Sequence, residues 1–399
     1  MVPSGDLQIL ILGKGAKEHA LAKKLAESPT ATKILVYPGN AGTKSTRNNK
    51  SSFASLKIYN VDMISNVVGF AKNSKICLVV PGDASFAIAG LGQKFQDAGI
   101  PFFAPSQVVA TRLQGDLKST YEFMKRHGIP APDAYVVTSK TTAKRCLGEV
   151  FRDPHYRHQV QRARRGPRPK ALVSKHTMPH IVKDGAKALF TNAGAVEEGL
   201  RHYVKHGEFA CGTKEKILEE VVEGMEICVL TFSDGTGFIS MPAAQVYKVR
   251  IPCAGGWQTS VVGCIAPAKD ISSEDNIGVK HIIRKTLEGL RKDGMLSTRI
   301  ILTEEGPKVL GYDVAGTAVE TLTLMRLFKK DCDLAKLMLA CIEGRLGQVS
   351  LQTEDRKHSC TVVLRDSIPE PLSSLSPKLI LIDDKKLSEH DRGGERKGR

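Results

Sequence analysis

The 399-residue sequence has no run of about 18 apolar residues, the length a helix needs to cross a bilayer, so no membrane span is expected. Its opening, MVPSGDLQILILGKG, offers an apolar stretch of only six residues before a charged glycine loop. That is too short for a secretory leader and suits a first buried strand. The nine cysteines include no C-x-x-C pair and no neighbouring histidine at metal-ligand spacing, which argues against a cysteine metal cluster. An odd number also excludes a complete disulfide framework, so reduced core cysteines in a cytoplasmic chain are expected. No internal repeat is visible.

Charge is present in excess of one sign, with a formal net charge of +16 at pH 7. It is unevenly placed. Residues 151–180 carry Arg152, Arg157, Arg162, Arg164, Arg165, Arg168, Lys170 and Lys175 against one acid, Asp153. The remainder is thinly spread, as suits a protein that handles phosphorylated, anionic small molecules. Three readings are open for the basic stretch: a solvated insertion, an error in the gene model, or a nucleic-acid patch. It has one tyrosine and no interleaving of glycine with aromatics, so base stacking is not indicated and a nucleic-acid partner is not expected.

The local pattern is α/β. Leu7–Leu12 is an apolar run that ends at Gly13-Lys14-Gly15-Ala16 and leads into helical spacing over Glu18–Glu27. Strands are expected at Lys33–Tyr37, ending at Pro38-Gly39-Asn40-Ala41-Gly42, at Ile76–Val80, ending at Pro81-Gly82-Asp83, and at Ile100–Phe103. With a helix over Phe86–Ala98 between them, they imply a parallel sheet whose functional loops lie at its carboxyl edge. Beyond Pro105 the expectations are a helix at Ser119–His127, strands at Ile217–Glu220 and Ile227–Thr231, and a helix at Gly278–Lys292. A hairpin of Arg299–Thr303 and Lys308–Asp313 about a Glu305-Gly306 turn follows, then helical sequence over 319–345. The expected domains are 1–105, 106–350 with the basic insertion 151–180, and 351–399 as a truncated remnant with a polar tail.

More specific blocks recur in order. Gly13-Lys14-Gly15-Ala16-Lys17-Glu18-His19-Ala20-Leu21-Ala22 resembles the G-x-G-G-R-E-H-A-L-A opening of the phosphoribosylamine–glycine ligase family, and Pro38-Gly39-Asn40-Ala41-Gly42-Thr43 its P-G-N-A-G-T loop. Phe103-Ala104-Pro105 stands where the family has F-G-P. Phe123-Met124-Lys125-Arg126-His127-Gly128-Ile129-Pro130 is similar to F-M-x-R-H-G-I-P, Leu218–Glu226 to the I-E-E-x-L-x-G-E-E hinge, and Gly306-Pro307-Lys308-Val309-Leu310 to the G-P-K-V-L-E-F-N strand. The resemblance implies an N-terminal Rossmann-like parallel sheet followed by ATP-grasp α+β subdomains, with ATP and Mg²⁺ as cofactors and glycine and phosphoribosylamine as small-molecule partners. In that family ATP phosphorylates the glycine carboxylate, and the amine of phosphoribosylamine captures the acyl phosphate to give glycinamide ribonucleotide. Such chemistry needs groups that hold the triphosphate, a carboxylate-bound Mg²⁺ bridging its outer phosphates, and exclusion of water.

Carried over residue by residue, the resemblance assigns Lys183, Lys187, Glu219, Val221, Val222 and Glu226 to ATP. It assigns Gly13, Gly15, Glu18, His19, Gly39, Asn40 and Gly42 to the phosphoribosyl substrate, and Asp313 to the metal. The departures concentrate at the chemical end. Where the family reads E-F-N-C-R-F-G-D-P-E-T, this chain reads Gly311-Tyr312-Asp313-Val314-Ala315-Gly316-Thr317-Ala318-Val319-Glu320-Thr321, so the metal-binding glutamate is a glycine. Q-D-H-K-R has become Gln245-Val246-Tyr247-Lys248-Val249, and Ser260-Val261 replace two glycines of N-T-G-G-M-G-A-Y-S-P. Two functions therefore stand side by side: a ligase of purine biosynthesis with weak or altered activity, and a degenerate relative that keeps nucleotide or phosphoribosyl binding for regulation or scaffolding.

Overall fold

The computed structural model describes residues 7–44, 63–137, 172–176, 187–190, 216–220, 222–253, 256–290, 293–354 and 358–361. The opening apolar run forms β1 (Leu7–Gly13), followed by α1 (Ala16–Leu25), β2 (Ala31–Pro38), α2 (Met63–Asn73) and β3 (Leu78–Pro81). These strands make a parallel sheet in the order β2-β1-β3. Because side chains alternate across a strand, Ile9 and Ile11 of β1 pack on α1 while Leu10 and Leu12 pack on the opposite face, with Val67, Ala71, Leu91 and Phe95. Two expectations are corrected here. The helix over 86–98 is two helices, α3 (Ala84–Ile88) and α4 (Leu91–Asp97), broken where Gly90 adopts φ +79°. The strand at 100–103 survives only as a single parallel bridge between Phe102 and Val79.

Next come α5 (Gln107–Ala110), a π-helical turn at Thr111–Gly115, α6 (Leu117–Arg126), β4 (Ala134–Val137), β5 (Leu172–His176), β6 (Lys187–Phe190) and β7 (Lys216–Glu220). The chain continues through β8 (Met225–Asp234), β9 (Phe238–Ser240), β10 (Ala244–Cys253), β11 (Gly256–Ala266), α7 (Ser273–Leu290), β12 (Asp293–Thr303) and β13 (Gly306–Asp313). It then forms α8 (Ala318–Met325), α9 (Leu334–Ile342) and β14 (His358–Thr361). Among the described residues these strands form one sheet of order β13-β12-β8-β10-β11-β6-β5-β7-β4, with β9 beside β8 and β14 beside β11. Of the basic stretch 151–180, residues 172–176 are thus a paired strand between β6 and β7, and the rest lies outside the described residues. Beyond the expected boundary at 350, β14 is hydrogen-bonded to β11.

The second sheet separates two cores. Ile227 and Val229 of β8, Leu296 and Ile300 of β12, and Val309 and Tyr312 of β13 pack on α6 and α7. Leu230 and Phe232 of β8 face the other way, into a core shared with Ile9, Ile11, Leu21 and Leu25 of the first sheet layer and with α8 and α9. Cys228, Cys264, Cys332 and Cys341 are buried, as expected of core cysteines. No described helix is long and apolar enough to cross a membrane.

Candidate functional site

Three turns meet at the carboxyl edge of the first sheet. Gly13 ends β1 at φ +139°, a conformation that only glycine adopts without strain. The loops after β2 and β3 bond back to this strand end: Gly39 N–H donates to the Gly13 carbonyl at 3.1 Å, and Gly82 N–H to the Leu12 carbonyl at 2.7 Å. Glu18, in the first turn of α1, fills the space between them, and the Gly15 N–H donates to its carboxylate at 2.5 Å. A Cβ added at Gly13, Gly15 or Gly82 would stand 2.6, 2.8 or 2.0 Å from Glu18 side-chain atoms. Burial pushes the Glu18 carboxyl above its ordinary range, opposed by the Lys17 charge and by backbone N–H groups.

Asn40 joins the first two loops. Its amide nitrogen donates to the carbonyls of Lys14 at 2.9 Å and Gly15 at 3.1 Å, while its oxygen accepts from the Thr43 N–H at 3.0 Å. His19 lies against Gly42, where a Cβ would stand 2.6 Å from the imidazole. Burial, and then Lys23, lower the His19 pKa, so the ring is neutral at neutral pH. All seven residues expected to hold the phosphoribosyl group are therefore brought to one place. Within the protein, Glu18 and Asn40 brace the loops. The loops they brace surround the start of α1, and a helix start favours an anion. Gly82 and Thr43 belong to the same assembly; Gly82 was visible in the sequence only as one more glycine after a strand.

The second group of expected residues is less gathered. Lys183 and Val221 lie outside the described residues, and Val222 is half-buried just before β8. Lys187 opens β6, where it pairs with Lys175 of β5. Glu219 is 0% exposed and lies beside Tyr121 of α6. Burial, then the charge of Glu219, raise the Tyr121 pKa far above its ordinary value. Glu226 forms an ion pair with Lys248 of β10, joining the hinge strand to the strand that carries the remnant of Q-D-H-K-R.

Asp313 ends β13, but its oxygens accept from Gln114 Nε2 at 3.2 Å and from the Ala315 N–H at 2.9 Å. Gln114 also accepts from the Val314 N–H at 3.0 Å, so the π-helical turn and the end of β13 hold each other. Nearby, the Thr317 hydroxyl donates to Glu320, and Lys17 of α1 donates to the Gly316 carbonyl at 2.5 Å. No group of three or more His, Cys, Asp or Glu residues able to hold a metal ion occurs among the described residues.

Residues 7–112 match the N domain of phosphoribosylglycinamide synthetase, and residues 170–321 its ATP-grasp (A) domain. A bifunctional purine biosynthetic protein of Pichia angusta is 32% identical over 90% of this chain and 43% of its own length. The phosphoribosylamine–glycine ligase of Allochromatium vinosum is 28% identical over 91% of this chain and 80% of its own. The chain thus spans less than half of the bifunctional relative. A solved structure of phosphoribosylamine–glycine ligase from Thermotoga maritima shares the fold, with TM-score 0.61 at 20% identity over 85% of this chain and 76% of that one. On two matched domains in order, the chain belongs to the phosphoribosylglycinamide synthetase, or phosphoribosylamine–glycine ligase, family.

Proposed function

We propose that this chain is an ATP-dependent carbon–nitrogen ligase of the purine-biosynthetic type, acting in the cytoplasm on ATP, glycine and phosphoribosylamine, with low turnover. The observation that carries the reading is the assembled edge of the first sheet, where three loops braced by Glu18 and Asn40 converge on the start of α1, the end of a helix that favours an anion such as a phosphoribosyl group. The ATP-grasp match over 170–321 supports a nucleotide at the hinge that includes Val221 and Val222, with Lys183 on its phosphates and the Glu226–Lys248 pair ordering the hinge strand. In the reaction the terminal phosphoryl of ATP passes to a glycine carboxylate oxygen. The amine nitrogen then attacks the acyl carbon, and phosphate leaves as the C–N bond forms.

A second reading, retention of binding without turnover, is favoured by the metal end. Mg²⁺, where the family uses it, compensates charge on the outer phosphates. Two features support a weak fit: Gly311 brings no side-chain donor, and each Asp313 oxygen already accepts a bond within the protein. The test is complementation of cells lacking the ligase, together with glycine-dependent ADP release by the purified chain. Little or no rescue and slow release are expected. Full growth at ordinary expression would overturn the degenerate reading, and no ADP release at any glycine concentration would overturn the ligase reading.

A further inference from the structure

Helices α1 and α8 lie side by side and run the same way. Lys17, in the first turn of α1, donates to the Gly316 carbonyl just before α8, at 2.5 Å. Lys24, two turns on, donates to the Lys329 carbonyl beyond the end of α8, at 3.1 Å. Between these ties, Leu21 and Leu25 share a core with Val319, Leu324 and Met325 of α8. Residues 17, 21, 24 and 25 recur at the three- and four-residue steps of one helix face, so the apolar contact and both ties lie on that face. The two helix starts are thereby set next to each other.

Each start adjoins one half of the proposed reaction. The start of α1 carries Gly13, Gly15 and the loops braced by Glu18 and Asn40, the edge read above as the phosphoribosyl site. The start of α8 closes the segment 314–317, which leaves the end of β13, where the family pattern places the nucleotide's metal. That segment is tightly specified. Gly316 stands at φ +73°, and a Cβ there would be 2.8 Å from the Thr321 hydroxyl oxygen. Gln114 accepts from the Val314 N–H at 3.0 Å, the Thr317 hydroxyl donates to Glu320, and Lys17 ties the middle of the segment to α1.

We infer that Lys17 is a positioning residue for the ligation step: it fixes the segment after β13 against the phosphoribosyl edge, so that the amine and the acyl carbon meet. The inference rests on the ligase reading proposed above. Reaction between two bound substrates depends on the spacing of their sites, and a displacement of about 1 Å can cost roughly 100-fold in rate. An ammonium suits the role, because a charged donor makes a stronger bond to a carbonyl than a neutral one does. The bond of Lys17 is spent on the protein's own backbone, so its loss falls on turnover and not on the binding of either substrate alone. Lys24 supplies an internal control: it makes the same kind of bond at the other end of α8.

The experiment measures glycine-dependent ADP release by the full chain, with phosphoribosylamine formed in place from ribose 5-phosphate and ammonia. Lys17→Met should lower kcat by about tenfold or more and leave KM for ATP and glycine little changed. Lys17→Arg, which restores the residue type of the family's opening motif, should keep most of the turnover. Lys24→Met should lower the thermal midpoint and keep kcat. Thermal midpoints check folding, and if Lys17→Met does not fold, Lys17→Gln, polar and shorter than lysine, is read in the same way. Unchanged kcat in the Lys17 variants would overturn the inference and leave the ligase reading standing. A rise in KM at constant kcat would show a binding role, and an equal fall of kcat in Lys24→Met would show general packing; either result overturns it as well. No ADP release by the parent would remove the ligase reading, and this inference with it.

Discussion

At the scale of single residues, Glu18 shows how a glycine-rich motif and its acid depend on each other. The carboxylate occupies the volume that Cβ atoms at Gly13, Gly15 and Gly82 would take, and it satisfies the Gly15 N–H at the start of α1. Burial raises its pKa above the ordinary 4.5, so the folded protein holds this proton to higher pH than the unfolded chain does. The stability that Glu18 contributes is then fully present below 4.5 and is lost as pH rises through the folded value. Glu18→Gln keeps an acceptor for Gly15 and removes the titration. Denaturant midpoints measured from pH 4.5 upward should fall for the parent and stay flatter for the variant. Parallel curves would mean that the carboxyl is not desolvated as described.

At the scale of elements, β13 is instructive because its glycine is backbone-driven as well as chemically silent. Gly311 sits at φ +153° beside the bulge that Leu310 makes against β12, a region that residues with a Cβ rarely enter, although the space around it is open. Gly311→Glu, which restores the family's residue type, should therefore cost about 1–3 kcal/mol in urea unfolding through the backbone alone. An unchanged midpoint would show that the bulge relaxes without penalty, and the loss of the glutamate would need no compensating change in the strand. Asp313, two residues on, faces the same way but is held by Gln114 and the Ala315 N–H, so the hairpin end is ordered by the protein.

At the scale of the whole described molecule, the two sheets are not independently packed. Ile9, Ile11, Leu21 and Leu25 share a core with Phe232 and with Leu324, Leu334 and Met338 of the last two long helices. Lys24, buried in α1, donates to the Lys329 carbonyl at 3.1 Å, and Lys17 reaches the Gly316 carbonyl, so α1 is bonded to the segments flanking α8. A shared core should lose its order in one step. Urea unfolding followed by the fluorescence of Trp257, the single tryptophan, should coincide with the loss of far-ultraviolet dichroism. Separated midpoints would show that the first sheet unfolds on its own.

Much of this was legible before any coordinates. The apolar run at β1, the glycine-bearing strand ends and the hairpin of β12 and β13 announce themselves, because strand burial and turn chemistry are local requirements written at periods of two residues and at single glycines. The match to the family blocks likewise marked Gly13, Gly39 and Asn40 as one assembly. What the amino-acid order did not disclose is which way side chains turn once strands pair. Glu219 and Glu226 are seven residues apart in one hinge motif, yet one is sealed against Tyr121 and the other meets Lys248. Lys17 belongs to the opening motif, but nothing there points to Gly316. Its bond to that carbonyl follows from the packing of α1 on α8, a contact across sequence that only the folded core decides.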